Sequence, residues 1–293
     1  MLNIQQAKSL YDATKYWFTV LPPFMSIANF AIDAPFGRFA LTSKSIFELD
    51  GIRSWIFMEL VSIVALSNAY LRSPLNSASF GSPPSLSLSH PPTLLAGLYV
   101  IHYINRGLLS PLRTPSRSKS HVLVAALAIA FNSCNGSLMG AYLSSPGAQT
   151  FLADAYARPL FWFGLALWAL GFAGNIAHDE ILLNLRRRHK AAKKDDDDAD
   201  GSKPKQEHYA IPHGGLYRFV SFPNYLCEWM EWVGFALAAA PPPSVAGVGA
   251  YVATLLPPWL FVVNEVLFMF PRAFKGHRWY HSRFPDYPRS ARS

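Results

Sequence analysis

Seven apolar runs, near residues 14–32, 52–71, 93–112, 121–143, 158–185, 222–240 and 245–270, approach the roughly 20 residues that a helix needs to cross a bilayer. In hydrocarbon every backbone N–H and C=O must find its partner inside the protein, and helices achieve this within one segment. Such a chain is expected to be an all-α polytopic membrane protein with about seven transmembrane helices, forming one membrane domain over residues 1–293. Only 15% of its residues are charged and 51% are hydrophobic, against about 25% charged in soluble domains. The opening "MLNIQQAKSLYDATKYW" lacks the basic-then-apolar layout of a cleavable signal, so the first span is expected to act as the targeting signal.

Lys and Arg set the orientation. Twenty-one of the 26 fall in segments 33–53, 111–120, 186–220 and 271–293, while Lys8, Lys15, Arg72 and Arg158 lie on the other side. The positive-inside rule then puts the C-terminus in the cytosol. The net charge of +8 follows from that topology, and nucleic acid is not expected as a partner. Cys134 and Cys227 sit in different runs and offer neither a disulfide framework nor a zinc spacing. The Ser- and Pro-rich stretch 71–93 reads as a non-cytosolic loop. The block 186–208 carries four consecutive Asp among Lys and Arg and reads as a solvated, disordered cytosolic loop. Gly136 and Gly140 have the spacing of close helix packing.

Ionisable groups inside spans are costly and become functional candidates by default. In "GNIAHDEILLNLRRRHK", Asn175, Asp179 and Arg186 fall within about 40° of one another on a helix. In "IRSWIFMELVS", Trp55 and Glu59 are one turn apart. Tyr99, Tyr103 and Arg106 share a face, as do Asn224, Glu228 and Glu231. Each set alone fits an interhelical hydrogen bond. Four sets on separate helices point to a polar cavity inside the bundle.

The chemistry of such a cavity can be narrowed. Desolvation at Glu59 favours the neutral carboxyl, which can donate a hydrogen bond, as can the Tyr103 phenol. Two donors facing one oxygen would stabilise an enolate as it forms, which is what hydride addition to a conjugated enone requires. The protein has no redox group, so the hydride must come from a nicotinamide. No Gly-x-Gly-x-x-Gly follows a strand, so the dinucleotide would sit in the bundle with its phosphates near Arg113, Arg117, Arg186 and Arg272 or Arg278. Only His277 and His281 have metal-ligand spacing, too few for a di-iron site, and no metal is expected.

The blocks "WIFMEL", "HYINR", "NSCNGSLMGAYL", "GNIAHDEILLNLR", "YAIPHGGLYRFVSFPNYLCEWMEWVGFALA" and "RAFKGHRWYHSRFPDYPRS" resemble, in order, those of the steroid 5α-reductases. The region 140–293 carries most of the cofactor motifs of that family. The resemblance implies a seven-helix endoplasmic-reticulum protein that reduces the C4–C5 bond of 3-oxo-4-ene steroids with NADPH. By motif position it implies that Glu59 and Tyr103 bind the 3-oxo group. It likewise implies a cofactor cavity of Trp55, Arg117, Asn175, Asp179, Arg186, Tyr209, Asn224, Glu228, Arg272 and Tyr280.

Several features depart from the family pattern. Gly276 stands where a further His is usual, Ala210 where a basic residue is usual, and the sequence ends at "YPRSARS" without the usual apolar tail. The alternative within the superfamily is a membrane ene-reductase of polyprenol, 2-enoyl-CoA or another sterol. "GGLYRFVSFPNYL" also loosely echoes isoprenylcysteine methyltransferases, although Ser221 and Phe222 replace their Arg-His. A non-catalytic scaffold would predict that Glu59→Gln and Tyr103→Phe leave every function intact. The bilayer and a hydrophobic substrate are the expected partners.

Overall fold

A computed structural model of the chain describes residues 3–32, 46–196, 210–288 and 290–292. Its long helices are α1 (Ile4–Ala31), α2 (Gly51–Arg72), α3 (Pro91–Ile104), α5 (Val122–Leu143), α7 (Pro159–Asp196), α8 (Pro223–Ala239) and α10 (Pro257–Arg283). Short helices α4 (Ser110–Arg113), α6 (Pro146–Leu152) and α9 (Val248–Thr254) lie between them. α2, α5 and α7 are each long and apolar enough to cross a membrane, and α9 with α10 makes a broken fourth. The chain is an all-α polytopic membrane protein. Its outward faces carry exposed Phe24, Ile27, Phe57, Val64 and Leu170, as a surface solvated by lipid requires.

Local chemistry sets the helix ends and moves several of them away from the apolar runs. α1 begins earlier than its run because Asn3 and Gln6 form a reciprocal cap, Gln6 N donating to Asn3 Oδ1 at 2.9 Å and Asn3 N to Gln6 Oε1 at 3.0 Å. Asp50 caps α2, accepting from Ile52 N and Arg53 N. The seventh run is not one helix. It breaks between α9 and α10 with a bend of 116°, because Pro257 and Pro258 have no N–H to continue the ladder and instead start a new helix. The third run also departs from regularity, passing through a π turn at Asn105–Leu109 before α4. Pro111 cannot donate to the turn before it, and the widened turn absorbs that loss. The charged block is not loop from its start. α7 runs on to Asp196, carried by the good helix formers Arg, Lys and Ala. The remainder of the block, 197–208, lies outside the described residues.

Two strand residues, Glu48 and Leu49 (β1), pair antiparallel with Ser120 and His121 (β2). This pins the starts of α2 and α5 together, so the two helices run parallel. Asn132 meets Met58, Gly136 meets Ser62 and Gly140 meets Leu66 along their seam. At both glycines any Cβ would collide with the α2 backbone, so small residues are what allow the approach. α7 and α8 pair antiparallel in the other extensive contact. α1 is tied to α10 by Ser26 Oγ donating to Leu267 O at 2.6 Å and Asn264 Nδ2 to Phe18 O at 2.9 Å. These pairs surround an aromatic core around Trp232, Tyr99, Phe235 and Phe261, and the polar groups collect at one end of it.

Candidate functional site

Arg106 is the hub of that polar end. The π turn carries it inward, where its Nη1 lies 2.9 Å from Glu228 Oε1 of α8 and its Nε 3.6 Å from Glu59 Oε1 of α2. Gly107 makes this possible, since a Cβ there would stand 2.9 Å from Glu59 Cβ. On the next turn of α3, His102 Nδ1 lies 2.7 Å from Glu231 Oε1 and its Nε2 3.8 Å from Glu228 Oε1. From α7, Asn175 Nδ2 donates to Glu228 Oε2 at 3.2 Å and to Asn224 O at 3.0 Å. Asn224 Nδ2 in turn donates to Asp179 Oδ1 at 2.9 Å. Four helices and the π turn therefore share one charge cluster.

A second network of phenols and amides adjoins it. Asn135 Nδ2 of α5 donates to Tyr99 Oη at 2.9 Å, and Tyr99 also bonds Ser62 Oγ. Tyr103 is held less tightly: its hydroxyl donates to Asn132 Oδ1 at 3.4 Å and accepts from Asn135 Nδ2 at 3.3 Å. Both distances exceed those of a strong hydrogen bond. Glu59 makes no hydrogen bond with any described residue, only the 3.6 Å ion pair. A carboxyl with no hydrogen bond and a phenol on two long ones thus stand on neighbouring helices, joined through Asn132, which bonds both Tyr103 and the Met58 carbonyl.

The end towards the α7–α8 loop is basic. The Arg117 guanidinium lies 3.6 Å above the Trp55 ring, whose Nε1 donates to Arg106 O at 3.1 Å. Burial, and then the charges of Arg186 and Arg106, push the Arg117 guanidinium down to about 10. No carboxylate forms an ion pair with Arg117 among the described residues. Crowded cations of this kind are relieved by an anion. Beside them a crevice of about 10 Å³ is lined by Asn105, Ser110, Arg113, Ile176, Asp179, Glu180 and Leu183. Glu180 on its wall bridges two arginines, with Oε2 2.6 Å from Arg113 Nη2 and Oε1 2.6 Å from Arg187 Nη1. A larger groove of about 510 Å³ runs along Arg53, Ile56, Phe57, Leu60, Val61 and Val64 of α2. Its lining is almost wholly apolar, with none of the groups of the two networks, and the polar cluster is the chemically competent place.

Of the residues singled out in the sequence, Trp55, Glu59, Tyr103, Asn175, Asp179, Asn224 and Glu228 lie in these networks, with Arg117 and Arg186 beside them. Tyr280 does not. It is buried in a separate cluster, stacked on Tyr287 with ring centroids 4.9 Å apart. Arg272 is half-buried on α10 and engaged in contacts of its own. Tyr209 falls outside the described residues. His178 proves structural: its Nδ1 donates to Gly174 O at 2.6 Å and its Nε2 accepts from Leu216 N at 3.0 Å. Asn132 and Asn135 were missed, although amides three apart in the apolar α5 were visible. Glu265, a carboxyl in the middle of "PWLFVVNEVLFMF", was missed as well.

Residues 118–293 match the family described as 3-oxo-5-alpha-steroid 4-dehydrogenase. The chain belongs to that family. A steroid 4-dehydrogenase 1 of Bos taurus is 31% identical over 281 residues, covering 96% of this chain and 93% of that one. The corresponding Homo sapiens protein is 31% identical over 89% of this chain and 85% of its own. An uncharacterized Schizosaccharomyces pombe protein reaches 37% identity over 89% and 90%. Membership in the steroid 4-dehydrogenase family makes the chain an oxidoreductase acting on CH–CH groups.

A nicotinamide dinucleotide can be tested against the side chains of this steroid 4-dehydrogenase relative. Asn224 Oδ1 and Glu231 Oε2 are buried acceptors with no hydrogen-bond partner, a state that is costly unless a donor arrives. A carboxamide or ribose hydroxyl supplies such a donor, and phosphates suit Arg117 and Arg186. The donor set fits the cofactor.

Proposed function

We propose that the chain reduces the C4–C5 double bond of 3-oxo-4-ene steroids with NADPH, in the endoplasmic-reticulum membrane with its C-terminus in the cytosol. The observation that carries this is the pair Glu59 and Tyr103, buried on α2 and α3 with hydrogen-bonding capacity to spare. NADPH, when bound, supplies a hydride to C5. Glu59 and Tyr103 donate to the steroid 3-oxygen and hold the charge that develops there. Asn135 and Asn132 fix the phenol. Trp55, Asn175, Asp179, Asn224 and Glu228 form the polar wall for the cofactor, with Arg117, Arg186 and Arg272 on the phosphate side and Tyr209 and Tyr280 as further wall residues by family position.

The test is product analysis of membranes containing the protein, supplied with NADPH and a panel of a 4-ene-3-ketosteroid, polyprenol and a 2-enoyl thioester. The expected product is the 5α-reduced ketosteroid alone. Reduction of polyprenol or the thioester, with the steroid untouched, would refute the substrate assignment.

The Glu180 bridge makes a separate expectation for entry. Its ion pairs are part-exposed and worth about 0.2–1 kcal/mol each, enough to hold the two arginines beside the crevice yet part often. Glu180→Gln should therefore speed NADPH association about two- to fivefold, measured by stopped-flow fluorescence. An unchanged rate would mean that the cofactor enters elsewhere.

A further inference from the structure

The turn that carries Asn224 to the cofactor wall is not held in place by α8 itself. From Cys227 onward the helix is clamped against α7, where a Cβ on Gly171 would stand 2.6 Å from Cys227 O and collide with Glu231 N. Ahead of that clamp Leu226 is exposed, and Phe222 stands at the N-cap. A phenyl ring offers no acceptor to the N–H groups of a first turn. Such a turn frays unless something outside the helix restrains it. Asn175 and Asp179 meet Asn224 from one side, but these are themselves residues of the proposed cofactor wall.

The outside restraint acts on Ser221, two residues before α8 begins. Ser221 N donates to Arg292 O at 2.8 Å, and Arg292 N donates to Phe219 O at 2.8 Å, in a short parallel bridge to the C-terminal segment. Ser221 is only 2% exposed. Its hydroxyl accepts from Tyr287 Oη at 2.8 Å and lies 2.6 Å from Nδ1 of His277 on α10. With Tyr287 donating, the Ser221 proton goes to the free Nδ1 lone pair of a neutral imidazole, and the hydroxyl is used as both donor and acceptor. Around this junction Tyr280 stacks on Tyr287, and Phe222, Phe284 and Ala291 pack beside them. Shielded from water, these bonds hold more firmly than exposed ones would.

We propose that Ser221 is a positioning residue for NADPH binding. Tied to Tyr287 and His277, it fixes the first turn of α8 and so aims Asn224 Oδ1, a buried acceptor with no hydrogen-bond partner, at the dinucleotide. This rests on the NADPH reading above. The printed bonds of Ser221 run to Arg292, Tyr287 and His277, away from Glu59 and Tyr103, so it acts through Asn224 on the cofactor and leaves the chemical step alone.

The experiment measures NADPH binding and steroid reduction by the full-length protein in lipid nanodiscs. Ser221→Ala should raise the NADPH dissociation constant about three- to tenfold, the range for one lost buried hydrogen bond, while kcat at saturating cofactor stays within about twofold. Ser221→Thr keeps the hydroxyl and should hold affinity within about twofold of wild type. In an Asn224→Ala background, Ser221→Ala should cost nothing further, because both changes interrupt one route. Deuterium exchange needs no cofactor: the Tyr225 and Leu226 amides should exchange faster in Ser221→Ala, with α10 unchanged. Tyr287→Phe removes one of the two side-chain bonds and should shift affinity and exchange in the same direction, which keeps the test open if Ser221→Ala folds poorly. Unchanged NADPH affinity in Ser221→Ala, equal losses for Ala and Thr, or additive losses with Asn224→Ala would each overturn the assignment. If wild type itself bound no NADPH, the cofactor reading would fall and the role of Ser221 with it. Normal wild-type binding beside an unaffected Ser221→Ala would sink Ser221 alone.

Discussion

Glu59→Gln is expected to lower steroid reduction about 10²–10³-fold, the usual loss when one donor to a developing oxyanion is removed. Gln keeps the size of the side chain and still offers an N–H, but a weaker one than a carboxylic acid. It stabilises the enolate less while occupying the same space. The fold should tolerate the change, because the Arg106 Nη1 contact at 2.9 Å is with Glu228 and the Glu59 contact is the longer 3.6 Å one. NADPH affinity should therefore hold while kcat falls. Tyr103→Phe should act in the same direction, leaving Asn132 and Asn135 without their long bonds to the phenol. Steady-state assays with direct measurement of NADPH binding separate the two cases. A Glu59→Gln protein that retained full turnover would favour a role for the cluster in helix packing alone.

What could be read from the sequence, and what could not, divides along a physical line. Helix positions were legible because bilayer thickness and backbone satisfaction leave few alternatives. Polar residues on α2, α3, α7 and α8 were legible because a charge in an apolar run has an obvious cost. The exceptions are backbone events. Pro111 and Pro257 were visible as letters, but whether a proline gives a π turn, a kink or a 116° break depends on what packs against it. Gly107 looked unremarkable in "INRGLL", and only the Glu59 Cβ beside it explains why no side chain fits. Glu265 escaped notice because its span was otherwise so apolar that one carboxyl did not form a stripe with another. Tyr280, which motif position assigns to the cofactor wall, is buried in an aromatic cluster with its ring stacked on Tyr287.

Arg106→Met carries the largest expected effect on the fold itself. The substitution removes the guanidinium that bonds Glu228 and lies near Glu59, leaving buried carboxyls around a thioether. Breaking a buried ion pair from one side costs about 3–5 kcal/mol. The result should be a lower yield of folded protein and a clear drop in the thermal unfolding midpoint in detergent. Lys would rescue little, because the two contacts are made by Nε and Nη1 of one planar fork, and a single ammonium cannot occupy both places. The diagnostic variant is the double substitution Arg106→Met with Glu228→Gln, which removes the charge that the single change strands. If the hub is electrostatic, the double variant is more stable than Arg106→Met alone, a favourable coupling in the double-mutant cycle. If the two losses simply add, Arg106 supports the π turn by packing, and the chamber must be organised by its amides and phenols instead.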